Sequence, residues 1–271
     1  MPDPRPSIRI SRPTIPCWCE ASDDIARFGA RTPPRGDREE RPLRDFVRFS
    51  PEHLGTLAGL ALLAFLLSRL AARSVEERAG SALAIRAGLA MLLLAGLGFA
   101  LADALPIREL AWLDVLPLHL CDMAVLVAVW ALLTRGRLAC EILYFWGLSG
   151  TLIAMTMPDV DKGFPDTRCV SFFALHGAVA LSAVVMTAGV GVKPRPGSHW
   201  RIFAITNAYA AVAATIDFVA DENFLYLRAK PSQPSILDVM GPWPWYILTA
   251  DVLAMVLFWL LMLPFRRRHA G

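Results

Sequence analysis

From Val47 onward, long apolar stretches alternate with short polar punctuation. A run of about 20 apolar residues crosses a hydrocarbon core of roughly 30 Å as a helix. Windows at 53–72, 81–103, 113–133, 138–157, 169–190, 200–220 and 243–264 have that character. They predict an all-α fold: a polytopic membrane helical bundle of about seven transmembrane helices, occupying 47–265. The joining loops are short. The longest, 221–242, runs into "RAKPSQPSILDVMGPWPWY", where four prolines and a glycine exclude a continuous helix.

Residues 1–46 break this pattern, with nine Arg, eight Pro and no continuous apolar run. The segment does not read as a secretory signal peptide, because no apolar h-region follows its basic residues. Its composition predicts a disordered extension that packs no core. A start codon assigned too far upstream would give the same kind of preface, and "VRFSPEHLGTLAGL" from Val47 makes a natural beginning.

Composition then narrows the class. The chain is 55% hydrophobic and only 19% charged, with a mean hydropathy of +0.46, outside the range of ordinary soluble domains. The net charge of +3 comes from Arg clusters between spans, a mark of membrane topology and not of nucleic-acid binding. Eleven Lys and Arg fall in the loops after spans 1, 3 and 5 and in the basic tail 266–271, against six on the other side. The bias predicts a cell-membrane protein with its N-terminus outside and its C-terminus and tail cytoplasmic. The five cysteines form no zinc-like, redox or disulfide pattern.

One stretch carries chemistry into the apolar background. "LPLHLCD", residues 116–122, sets His119, Cys121 and Asp122 inside the third predicted span. At 1.5 Å per residue, His119 lies roughly 9 Å below the outer end, and Cys121 and Asp122 roughly 12–14 Å. His176 in span 5 and Asp251 in span 7 lie about 10 and 12 Å down, and Asp217 in span 6 about 5 Å. Ionisable groups in hydrocarbon are costly unless they face one another or a wet cavity. Shared depth therefore predicts a polar cavity in the outer third of the bundle, lined by His119, Asp122, His176 and Asp251.

Helical phase sharpens the expectation. His119 and Asp122 are three residues apart and share one face, where the carboxylate can fix the imidazole's tautomer. Cys121 is about 200° from His119 in a regular helix. As a nucleophile it would need a base from another span, with His176 the obvious one; otherwise it is a small apolar residue in a packed helix. Asp217 can snorkel to the interface, and Glu141, Tyr144 and Asn207 read as packing hydrogen bonds. Trp243, Trp245 and Tyr246 form an interfacial aromatic belt, with a second role as a cap near the cavity mouth, where they and Asp251 would meet substrate.

The stretches "LPLHLCDMAVLVAVWALLT", "LYFWGLSGTLIAMTMPD", "FFALHGAV" and "ILDVMGPWPWYIL" together resemble the bacterial YwaF-like family of integral membrane proteins, over about 47–265. That family resembles in turn eukaryotic transmembrane protein 164, a phospholipid acyltransferase acting through a membrane cysteine and a histidine. The resemblance implies that His119 matches the histidine of an Asn-Pro-Cys-His element, with Leu118 in the cysteine's place and Cys121 one turn further on. His176 resembles the second histidine.

Three functions compete at this stage. A membrane-embedded lipid acyltransferase or acyl hydrolase would use His176 or His119 as base, Asp122 as its partner and Cys121 as nucleophile, with membrane lipids as partners and no cofactor. A transporter or small-molecule binder would use His119, Asp122 and Asp251 as a proton relay; no internal repeat supports it. A metal site lacks HExxH-type spacing and is not expected.

Overall fold

The computed structural model describes residues 44–77, 80–104, 116–158, 160–231 and 235–266. Its helices are α1 (Pro51–Glu76), α2 (Ser81–Ala104), α3 (Leu120–Thr134), α4 (Arg137–Leu148), α5 (Gly150–Thr156), α6 (Thr167–Val184), α7 (Ser198–Ala220) and α8 (Trp245–Arg266). A π-helical turn, Val185–Gly189, continues α6. Six stretches are long and apolar enough to cross a membrane: α1, α2, α4 with α5, α6 with its π turn, α7 and α8. The fold is thus the helical membrane bundle that hydropathy predicts, with two interruptions that hydropathy hides.

The first interruption corrects the third span, expected over 113–133. Helix α3 starts only at Leu120 and has 15 residues, roughly 22 Å of rise. Residues 116–118 are irregular, with Leu118 N–H closing a tight turn onto Leu116 O at 2.8 Å. Pro117 explains the late start: it has no N–H to donate, and its ring steers the preceding residue away from helix. His119 is the extended N-cap residue, at φ −69° and ψ 147°. Irregular backbone at membrane depth is tolerated only where protein or a cavity covers it. The second interruption divides the fourth span at Ser149, whose hydroxyl bonds back to Phe145 O at 2.6 Å. Such back-bonding bends helices, and α5 resumes at Gly150.

Helices α4 with α5 and α6 are the buried staves, while α1, α2, α7 and α8 present most of their surface outward. Ala128, Ala131, Leu143, Phe145 and Met186 are among the residues filling the centre. Where α1 crosses the π turn, the backbones nearly touch. A Cβ added to Gly189 would meet Ala71 Cβ at 2.9 Å and Ser68 O at 3.0 Å, neither of which can swing away. Gly189→Val is therefore expected to cost about 1–3 kcal/mol through overpacking. The check is thermal unfolding in detergent beside Gly98→Ala, a position with open space around it; equal midpoints would refute this account of the contact.

Three further expectations change. Arg44–Phe46, assigned to a disordered 1–46, pack on the bundle. Lys162 Nζ meets Asp45 Oδ1 at 2.6 Å, Phe46 N–H donates to Asp161 O at 2.8 Å, and the Phe46 ring stacks on Phe173. The rest of the extension, the tail beyond Arg266 and residues 113–115 lie outside the described residues. Asp217 does not snorkel; it is fully buried and accepts Phe224 N–H at 2.7 Å. Glu141 is no simple packing group. It accepts a two-pronged guanidinium from Arg195, at 2.8 and 2.7 Å, plus Arg201 at 3.0 Å. Tyr144 does make the expected packing bond, donating to Leu261 O at 3.0 Å.

Candidate functional site

The late start of α3 and the break before α5 meet at one cavity. It is small, with about 20 Å³ of water-sized space, room for about one water. Its polar lining is Cys121 and Asp122 from α3, Thr151 from α5 and His176 from α6. Leu97, Val125, Leu175 and Val179 contribute apolar walls. His176 is ten residues into α6 by count, roughly 14 Å along it. Cys121 reaches that depth in the first turn of its own helix because α3 begins inside the bundle.

His176 is fixed on two sides. Its Nδ1 is 2.9 Å from Phe172 O, and its ring stacks on Phe172 with centroids 4.1 Å apart. A carbonyl oxygen can only accept, so Nδ1 carries the proton and Nε2 is left as the ring's acceptor. The Cys121 thiol lines the same cavity as this imidazole. Cys121 and His176 reach the cavity from different helices, α3 and α6. Cys121 and Asp122 both stand in the first turn of α3.

Other predicted residues stand elsewhere. His119 is buried, but its ring packs edge-on against Phe224 at 5.4 Å and near Tyr226 at 5.9 Å, outside the cavity lining. His119 precedes the helix as its N-cap residue, so helical phase does not set its position relative to Asp122. Asp251 is away from the cavity, accepting Asn207 Nδ2–H at 3.0 Å on the α7–α8 seam. The proton relay therefore loses one of its expected members. Trp243, Trp245 and Tyr246 do not line the cavity either. Trp243 donates to Leu227 O at 3.1 Å, Tyr246 donates to Tyr226 O, and the Trp245 ring is exposed.

Those bonds hold a strained loop. Leu225 and Tyr226 both sit in the left-handed region, at φ 58° and 56°, which bulky residues rarely enter. Asp217 below and Tyr246 above fix the loop so that Phe224 and Tyr226 cover His119. Sequence reading missed Thr151, Tyr209, Phe224 and Tyr226. Tyr209 donates to Leu118 O at 2.6 Å, satisfying an irregular carbonyl that α3 cannot use. Pro117 and the Ser149–Gly150 pair were the available signals, since each interrupts a span where the cavity forms. Among the described residues, no group of three His, Cys, Asp or Glu is placed to hold a metal ion.

A multi-pass helical membrane protein with a cysteine and a histidine facing one intramembrane cavity is the class that this architecture defines. The chain matches the TMEM164 family over residues 48–262, and it belongs to that family. A protein of Treponema pallidum (strain Nichols), itself described as uncharacterized, is similar to it. The two are 28% identical over 236 residues, covering 83% of this chain and 92% of the relative. No solved structure matches the chain.

Proposed function

We propose that the cavity carries out acyl transfer on a membrane lipid through a thioester at Cys121. The observation behind this reading is that Cys121 and His176 line one cavity with apolar walls. A lipid ester reaching the cavity would lay its chain along Leu97, Leu175 and Val179. His176 Nε2 takes the thiol proton as sulfur attacks the ester carbonyl, forming the C–S bond. The C–O bond then breaks, and the lysolipid alkoxide leaves with the proton from His176. In the second half-reaction an acceptor hydroxyl gives its proton to His176 and attacks the thioester carbonyl; the C–S bond breaks and the thiolate recovers the proton from His176. A lipid acceptor makes the protein a transferase; water makes it a hydrolase. With the Arg-rich loops cytoplasmic, the cavity opens in the outer half of the cell membrane.

The test uses the protein in lipid with a phospholipid bearing an alkyne-tagged acyl chain. Protein labelling that hydroxylamine removes is expected for the natural sequence and not for Cys121→Ala. Label that survives in Cys121→Ala, or no label from any acyl phospholipid, would refute the thioester.

A further inference from the structure

His53, in the first turn of α1, is fully buried, and both of its ring nitrogens are committed to backbone. Phe49 N–H donates to Nδ1 at 2.9 Å, and Nε2 lies 2.9 Å from Met155 O. An N–H can only donate and a carbonyl can only accept, so Nδ1 is bare and Nε2 carries the proton. The imidazole is therefore neutral. Phe46 meets the ring edge-on at 5.2 Å, Phe173 at 5.5 Å and Phe49 at 5.8 Å. Residues 44–50 form a strap that this ring pins to the bundle. Within it Phe49 holds a left-handed backbone, at φ 60°, that bulky residues rarely enter.

A second proton can enter the ring only at Nδ1, where it would face the Phe49 N–H, donor against donor. The charged imidazole and the closed strap exclude each other. The charged groups on the described elements around it are Arg44, Asp45 and Arg48 on the strap, Glu52 on α1, Asp161, Lys162 and Asp166 in the loop before α6, and Arg168 on α6; α5 has none. None of them hydrogen-bonds the ring, whose two nitrogens are already taken. Imidazole is the side chain whose charge ordinarily changes between about pH 5 and 8. The contact also adjoins the cavity walls. Met155 is one turn beyond Thr151 on α5, and Phe173 packs edge-on against Phe172, the ring stacked on His176. We propose that the strap 44–50 is an acid-released latch beside the cavity, with His53 as its proton sensor. Neutral His53 holds the strap, so closure is complete above the range in which imidazole charges and is lost as the pH falls through it. The proposal is independent of the acyl-transfer reading.

The test is peptide-resolved hydrogen–deuterium exchange of the full chain in lipid nanodiscs at about pH 7.5 and about pH 5, with exchange times scaled for the effect of pH on the chemical rate. Protection of 44–50 is expected to fall about tenfold at the lower pH, the weight of roughly one hydrogen bond. Protection of Gly150–Thr156 should fall with it. His53→Gln keeps a donor and an acceptor but takes no proton, and should show no such fall. Asp45→Asn gives a second measurement that leaves His53 in place. It removes the ion pair to Lys162 at a side chain 81% exposed, and it should keep the response. Equal protection of 44–50 at both pH values would overturn the latch. So would a fall that persists in His53→Gln, one abolished by Asp45→Asn, one shared equally by α6 and α7, or release of the strap with Gly150–Thr156 unchanged.

Discussion

The variant His176→Gln is expected to form the hydroxylamine-labile acyl protein roughly 100- to 10,000-fold more slowly than the natural sequence, the range that a positioned acid–base group contributes. The size follows from what His176 has and glutamine lacks. Its Nδ1–H is committed to Phe172 O and its ring is stacked on Phe172, so Nε2 is left as the basic nitrogen of a ring that lines the cavity with Cys121. A glutamine side chain can hydrogen-bond the thiol but cannot take its proton at neutral pH. His119→Gln should cost far less, since that ring packs against Phe224 and Tyr226. The comparison matters because the family resemblance covers both histidines, while the cavity lining includes His176 and not His119. Single-turnover labelling rates decide it. Equal losses in the two variants, or a loss confined to His119→Gln, would remove His176 from the role of base.

Hydropathy made the bundle legible because a lipid solvent demands long apolar helices, and it cannot hide them. The cavity was legible in part. Shared depth brought Cys121, Asp122 and His176 into consideration, since Pro117 and the helix rise are local properties of the chain. The same depth argument failed for Asp251 because depth carries no information about azimuth. Asp251 and His176 lie at similar levels on helices that turn different faces to each other. His119 lies outside the cavity lining, and helical phase could not place it, because a phase argument requires a helix and α3 begins one residue later. Tyr209, Phe224 and Tyr226 were beyond reach because their roles depend on a strained loop folding back over α3. Thr151 was nearer to hand, since a serine and glycine in mid-span mark where a helix can break.

Replacing Arg195 and Arg201 together by alanine is expected to cost about 3–5 kcal/mol, the usual penalty for leaving a buried charge without its partners. Glu141 is 1% exposed in α4, whereas the side chains of Arg195 and Arg201 are 38% and 42% exposed. This asymmetry sets the order of effects. Without Glu141 the two guanidiniums turn to water, so Glu141→Gln should cost much less. Without the guanidiniums the carboxylate keeps only the Arg195 backbone N–H, at 3.0 Å. Arg201→Ala alone should be mild, because the two-pronged Arg195 contact survives. Adding Glu141→Gln to the double variant should recover more than half of the loss, since a neutral amide is far cheaper to bury than an unpaired carboxylate. The contact clamps the segment between α6 and α7 onto α4. Its loss should therefore appear as a lower unfolding midpoint in detergent and as protease sensitivity near Arg195. If Glu141→Gln proves as damaging as R195A/R201A, the attraction itself, and not the stranded charge, dominates at this site.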